Sequence, residues 1–77
     1  MAGHTHGRLE TVLAGRIKAA QAAAGLTNTA LARELDVSER LVGKWRSGEN
    51  RPSMGNLFLL SRALGKPVSW FFEEQAA

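Results

Sequence analysis

Residues 26–48, Leu26-Thr27-Asn28-Thr29-Ala30-Leu31-Ala32-Arg33-Glu34-Leu35-Asp36-Val37-Ser38-Glu39-Arg40-Leu41-Val42-Gly43-Lys44-Trp45-Arg46-Ser47-Gly48, read as two short helices joined by a tight turn. Thr27 and Ser38 stand just before apolar-periodic runs, where a hydroxyl accepts from a free N–H of the first helical turn. Leu31, Ala32 and Leu35 form the buried face of the first helix, and Val42 and Trp45 that of the second. Asp36-Val37 makes the turn, with Asp36 at a position that often needs a left-handed backbone, which Asp tolerates at some cost. Gly48 sits where a glycine closes a helix. The outward side of the second helix then carries Glu39, Arg40, Gly43 and Lys44, groups suited to base edges in a major groove.

Working outward, Leu9 to Ala24 predicts a first helix, with Leu9, Leu13, Ile17, Ala20 and Ala24 on one stripe and Val12 beside it. Gly15 weakens that helix by up to ~1 kcal/mol, the alanine run compensates, and Gly25 closes it. Ser53, after Pro52, caps a further helix that buries Leu57, Leu60 and Leu64 and ends at Gly65. A short last helix follows Ser69, with Val68, Phe71 and Phe72 folding back on the core. No strand signal, repeat or linker is present. The expected architecture is all-α, a compact five-helix domain over residues 9–74, with residues 1–8 as a flexible arm and 75–77 as a tail.

Composition excludes several classes of function. At 77 residues the chain is one small domain that buries only about 60% of its unfolded surface. It holds no cysteine, so it has neither a disulfide framework nor a thiolate metal site. No apolar run approaches membrane-spanning length and no signal peptide opens the chain, so a cytoplasmic protein is expected, with no membrane partner. There are no paired carboxylates on one helix face and no phosphate loop, so no enzyme is expected. With Met1 removed, Ala2-Gly3-His4 has the donors for square-planar Cu(II) or Ni(II). A solvated decoration is the reading adopted there, and no metal or cofactor is expected. A net charge of +3 is too small to prove a nucleic-acid partner. Its distribution says more: Arg40, Lys44, Arg46 and Arg51 are opposed between them only by Glu49, while Glu73 and Glu74 lie at the far end.

The chain resembles the phage-repressor (Cro/cI-like, XRE) helix-turn-helix family. Leu26-Thr27-Asn28, Leu31-Ala32, Val37-Ser38, Trp45 and Gly48 are similar to its motif. Arg51-Pro52-Ser53, Leu57, Leu60, Ala63-Leu64-Gly65 and Val68-Ser69-Trp70-Phe71-Phe72 look like its fourth and fifth helices. The resemblance covers roughly residues 9–74 and implies a lambda-repressor-like fold. It also implies a homodimer, at least on DNA, on a two-fold double-stranded operator. Its base-reading positions fall on Ser38, Glu39, Arg40, Leu41, Gly43 and Lys44. Glu39 suits either the helix dipole or a cytosine N4, and Leu41 either a thymine methyl or local packing.

The resemblance places backbone contacts at Thr27, Asn28, Arg46, Asn50, Arg51 and Asn56. Asn28 is one methylene shorter than the family's usual Gln. Gly55 replaces a frequent acid. Arg16 and Lys18 either reach phosphate or lie on a solvated face. Many relatives pair an Arg in the first helix with a Glu late in the recognition helix. Here Gln21 and Arg46 stand instead, so an amide–guanidinium hydrogen bond is the most that pairing retains. The dimer contact is expected at Pro67, Val68 and Trp70. Trp45 turns inward by its spacing from Val42, whereas both core packing and a dimer contact stay open for Trp70.

Two functions compete. One is a DNA-binding regulator, most simply a repressor. The other is an antitoxin-type protein-interaction module on the same scaffold, which an exposed Leu41 and Trp70 would serve. A chain of this length leaves no room for a ligand-sensing domain, so no small-molecule ligand is expected.

Overall fold

The computed structural model describes residues 5–73, with side chains from Leu9 onward. It contains four α-helices, α1 (Thr5–Ala24), α2 (Asn28–Leu35), α3 (Glu39–Ser47) and α4 (Met54–Leu64), and then a 3-10 turn at Val68–Phe72. The expected fifth α-helix is therefore a 3-10 turn. The segment is only five residues long and follows Pro67, which has no side-chain cap, so little stabilises a full α-turn. Nor does α1 wait for Leu9. Its backbone is helical from Thr5, because propagation adds one hydrogen bond per residue whether or not the next side chain is apolar. The Ala2-Gly3-His4 terminus, Glu74 and the 75–77 tail lie outside the described residues.

The helix boundaries follow from local chemistry. Thr27 Oγ1 accepts from the Ala30 N–H and Ser38 Oγ from the Leu41 N–H, each at 3.0 Å. Ser53 Oγ accepts from the Asn56 N–H at 3.1 Å. Each cap satisfies one of the donors that a helix start leaves open. Asp36 closes α2 in the left-handed region at φ 58°, ψ 48°, the one described non-glycine residue there. The Val37 N–H then donates back to the Ala32 carbonyl at 3.0 Å, and this bond turns the chain into α3.

α1 packs against α3 and the 3-10 turn, and α2 against α3 and α4. Leu13, Ile17 and Ala20 from α1 meet Leu31, Ala32 and Leu35 from α2, Val42 and Trp45 from α3, and Leu57, Leu60 and Leu64 from α4. Phe71 closes the base of this core. Ala24 and Phe72 depart from expectation, since both are exposed. Ala24 is on the right stripe but is the last residue of α1, past the reach of the helices that cover Ile17 and Ala20. Val68 and Phe71 take the inward side of the short turn and leave Phe72 outside. Among the described residues no helix is long and apolar enough to cross a membrane.

Candidate nucleic-acid interface

α3 divides cleanly. Val42 and Trp45 are fully buried, while Glu39 and Arg40 are exposed and Gly43 and Lys44 half-exposed. Residues three and four apart share a helix face, so Arg40, Gly43 and Lys44 form one outward surface and Glu39 lies beside it. A Cβ built on Gly43 meets nothing within 4 Å, so the middle of that surface is open to close approach. Ser38 spends its oxygen lone pair on the Leu41 N–H, which leaves its O–H to an outside acceptor. Leu41 is half-buried and packs on the core. That contact fits the local-packing alternative, and part of the side chain stays accessible for the other.

The start of α2 and the end of α3 are joined through α1. The Arg46 Nη1 donates to Gln21 Oε1 at 2.7 Å. Gln21 Nε2 in turn donates to the Asn28 Oδ1 at 3.0 Å and to the Leu26 carbonyl at 3.2 Å. Gln21 is only 3% exposed and carries the one buried polar side chain among the described residues. Its amide is amphoteric, so it can brace Arg46 and Asn28 together, which a carboxylate or guanidinium in its place could not do. The expected amide–guanidinium bond is thus present, and it does more than replace an ion pair. It holds Asn28 by its oxygen and leaves the Asn28 NH₂ group as the donor, while Arg46 keeps further N–H groups.

The loop between α3 and α4 carries Asn50 and Arg51, both exposed. Its shape comes from Gly48, left-handed at φ 81°, and from the Lys44 carbonyl, which accepts from the backbone of Glu49 at 3.0 Å and of Asn50 at 3.2 Å. Asn56 is half-buried in the first turn of α4, where helix geometry leaves the N–H groups of Met54 and Gly55 without intrahelical partners. Arg51 is not a free side chain: its Nε lies 3.3 Å from Glu10 Oε2. Glu10 is four helical turns upstream of the motif in another element, and nothing local in the sequence links it to Arg51.

Arg16 also lies away from this surface. Its Nε donates to the Glu73 carbonyl at 2.7 Å, and its guanidinium lies 4.3 Å from the centre of the Trp70 ring. Neither the phosphate role nor a bare solvated face describes it. Lys66 covers the same indole at 4.9 Å, and Phe71 meets it edge-on at 5.2 Å. Trp70 is consequently half-buried, with Val68 half-buried beside it and Pro67 exposed. Lys18 is exposed and solvated.

Comparison with known proteins agrees with this architecture. The family described as "Helix-turn-helix" matches residues 17–71. Proteins of Rickettsia conorii and Rickettsia prowazekii, each named an uncharacterized HTH-type transcriptional regulator, are both 30% identical to the chain over 66 residues. Those residues are 86% of this chain but 53% and 51% of the two relatives, so the chain spans about half the length of the curated relatives it matches. No solved structure matches the chain. The matched span runs from Ile17 to Phe71, and so takes in the capped two-helix unit and its α4 support; the chain belongs to the XRE-type helix-turn-helix family.

Proposed function

We propose that the chain is a sequence-specific, double-stranded DNA-binding transcriptional regulator. On this reading it is a repressor that binds a two-fold operator as a homodimer, with α3 in the major groove, and works in the cytoplasm. The observation that carries the reading is the division of α3. One side is locked into the core by Val42 and Trp45, and the other offers Arg40, an open Gly43 and Lys44. Arg40 and Lys44 have the donors for guanine O6 and N7, and Glu39 the acceptor for cytosine N4. Around them Thr27, Asn28, Arg46, Asn50, Arg51 and Asn56 would fix register on the sugar–phosphate backbone, which carries no sequence information directly.

The interaction-module reading drew on an exposed Leu41 and Trp70. Both are half-buried against the core, so the surface they offer a partner is reduced.

Binding is tested by titrating a duplex across salt concentrations. Log affinity should fall linearly with log salt, because Arg40, Lys44, Arg46 and Arg51 displace counterions from phosphates. A flat response, or no binding to any duplex at low salt, overturns the proposal.

A further inference from the structure

The ion pair between Glu10 and Arg51 lies at the edge of the proposed interface, and its two members are unequal. Arg51 is 52% exposed at its side chain and Glu10 only 20%. Glu10 Oε1 is buried and has no hydrogen-bond partner among the described residues, while Oε2 faces Arg51 Nε at 3.3 Å. The backbone that carries the carboxylate is also closely packed. α1 runs so close to the end of α3 that a Cβ on Gly48 would lie 3.7 Å from the Glu10 carbonyl oxygen. A half-desolvated carboxylate on a packed helix needs its counter-charge, and Arg51 is the cation that supplies it. If Arg51 swung away to a phosphate, that charge would be left uncompensated. A guanidinium does not have to choose, because it carries five N–H donors in a planar fork and its approach to Glu10 is an ion-pair contact on the Nε side rather than a hydrogen bond. The Nη groups remain, on the more exposed member of the pair.

We propose that Glu10 is a positioning residue for DNA binding: its ion pair holds Arg51 on the Nε side and leaves the Nη groups for a backbone phosphate. The inference rests on the DNA-binding reading. Glu10 lies ahead of the family's matched span, residues 17–71, so the device belongs to the N-terminal part of α1 rather than to the two-helix unit. Its effect is to remove side-chain freedom from Arg51 before DNA arrives, which lowers the entropy lost on contact.

The test is a double-mutant cycle on the full chain, reading affinity for a duplex of arbitrary sequence by fluorescence anisotropy. Glu10→Met keeps length and burial but offers no acceptor of comparable strength. Glu10→Gln keeps an oxygen acceptor and removes the charge. In the wild-type background Arg51→Ala should weaken binding about fivefold, as expected for loss of roughly 1 kcal/mol. In the Glu10→Met and Glu10→Gln backgrounds, both without the charge, the same change should weaken it less than about twofold. A merely structural Glu10 would alter the melting temperature and leave the cost of Arg51→Ala unchanged in all three backgrounds, which overturns the proposal. An Arg51→Ala cost that grows in the Glu10→Met background overturns it too, since Glu10 would then be competing with phosphate. Failure of the wild-type chain to bind any duplex is a separate result and removes the DNA reading itself.

Discussion

At the scale of single residues, the side chains on α3 are separated by what they can touch. Among the described residues the Arg40 and Lys44 side chains join no ion pair or hydrogen bond, whereas Trp45 and Val42 fill the core. Lys44→Ala and Arg40→Ala should therefore leave the melting temperature nearly unchanged. Each should cost ~1–3 kcal/mol on the cognate site and relax preference at one base pair. Arg51→Ala should weaken all sequences alike. Competition binding against a randomised duplex library distinguishes the two patterns, and one shared sequence-independent loss for all three variants would remove the reading role from α3. Gln21 differs from these: it was legible only as a departure from a family pattern. That it braces Arg46 and Asn28 at once depends on α1, α2 and α3 converging, which no local spacing encodes.

At the scale of the element, the junction between α2 and α3 sets how α3 is presented. Asp36 holds a left-handed backbone there. The expected cost for an ordinary L-residue is about 1–2 kcal/mol, relieved in part by the short polar side chain of Asp and fully in glycine. Asp36→Val should lower unfolding stability by about 1–2 kcal/mol, and Asp36→Gly should leave it unchanged or slightly higher. Urea denaturation monitored by circular dichroism measures both. If Asp36→Val is as stable as the wild type, strain at this junction is not what the backbone angles indicate. Caps and closing glycines were readable from sequence because their hydrogen bonds are made within three or four residues. The last element was not: whether five residues after Pro67 form an α-turn or a 3-10 turn is decided by how Phe71 docks on the core.

At the scale of the whole molecule, one recognition helix covers too few base pairs for a genomic address, which is why a homodimer is part of the proposal. Pairing through Pro67, Val68 and Trp70 would be isologous, with the two copies of α3 roughly 34–36 Å apart on one face of the duplex. Arg16 and Lys66 already cover much of the indole, and Glu73 is held by Arg16, so the surface left for self-association is small. The free chain should be mostly monomeric at micromolar concentration and dimerise cooperatively on DNA. Trp70→Ala should reduce affinity for a full palindrome much more than for an isolated half-site. Equal losses on both would assign Trp70 to the core alone. Among the described residues the largest apolar exposure lies elsewhere, on α4, where Met54 is 69% and Phe58 55% exposed, and composition gave no sign of it.

The sequence by itself determined the two-helix unit with its two hydroxyl caps and left-handed Asp36, the Ser53 cap of α4, and the inward set Leu31, Val42, Trp45, Leu57 and Leu60. Each of these follows from short-range hydrogen bonding or from helical periodicity, which act within one or two turns. Only the tertiary structure decided that Gln21 is buried, that Arg51 is held by Glu10, and that Arg16 closes over Trp70 and Glu73. These contacts join residues far apart along the chain, and their partners are chosen by how α1 lies across the ends of the other elements. A charged or polar side chain has the same local pattern whether it ends in solvent or against a distant partner, so sequence spacing cannot tell the two apart.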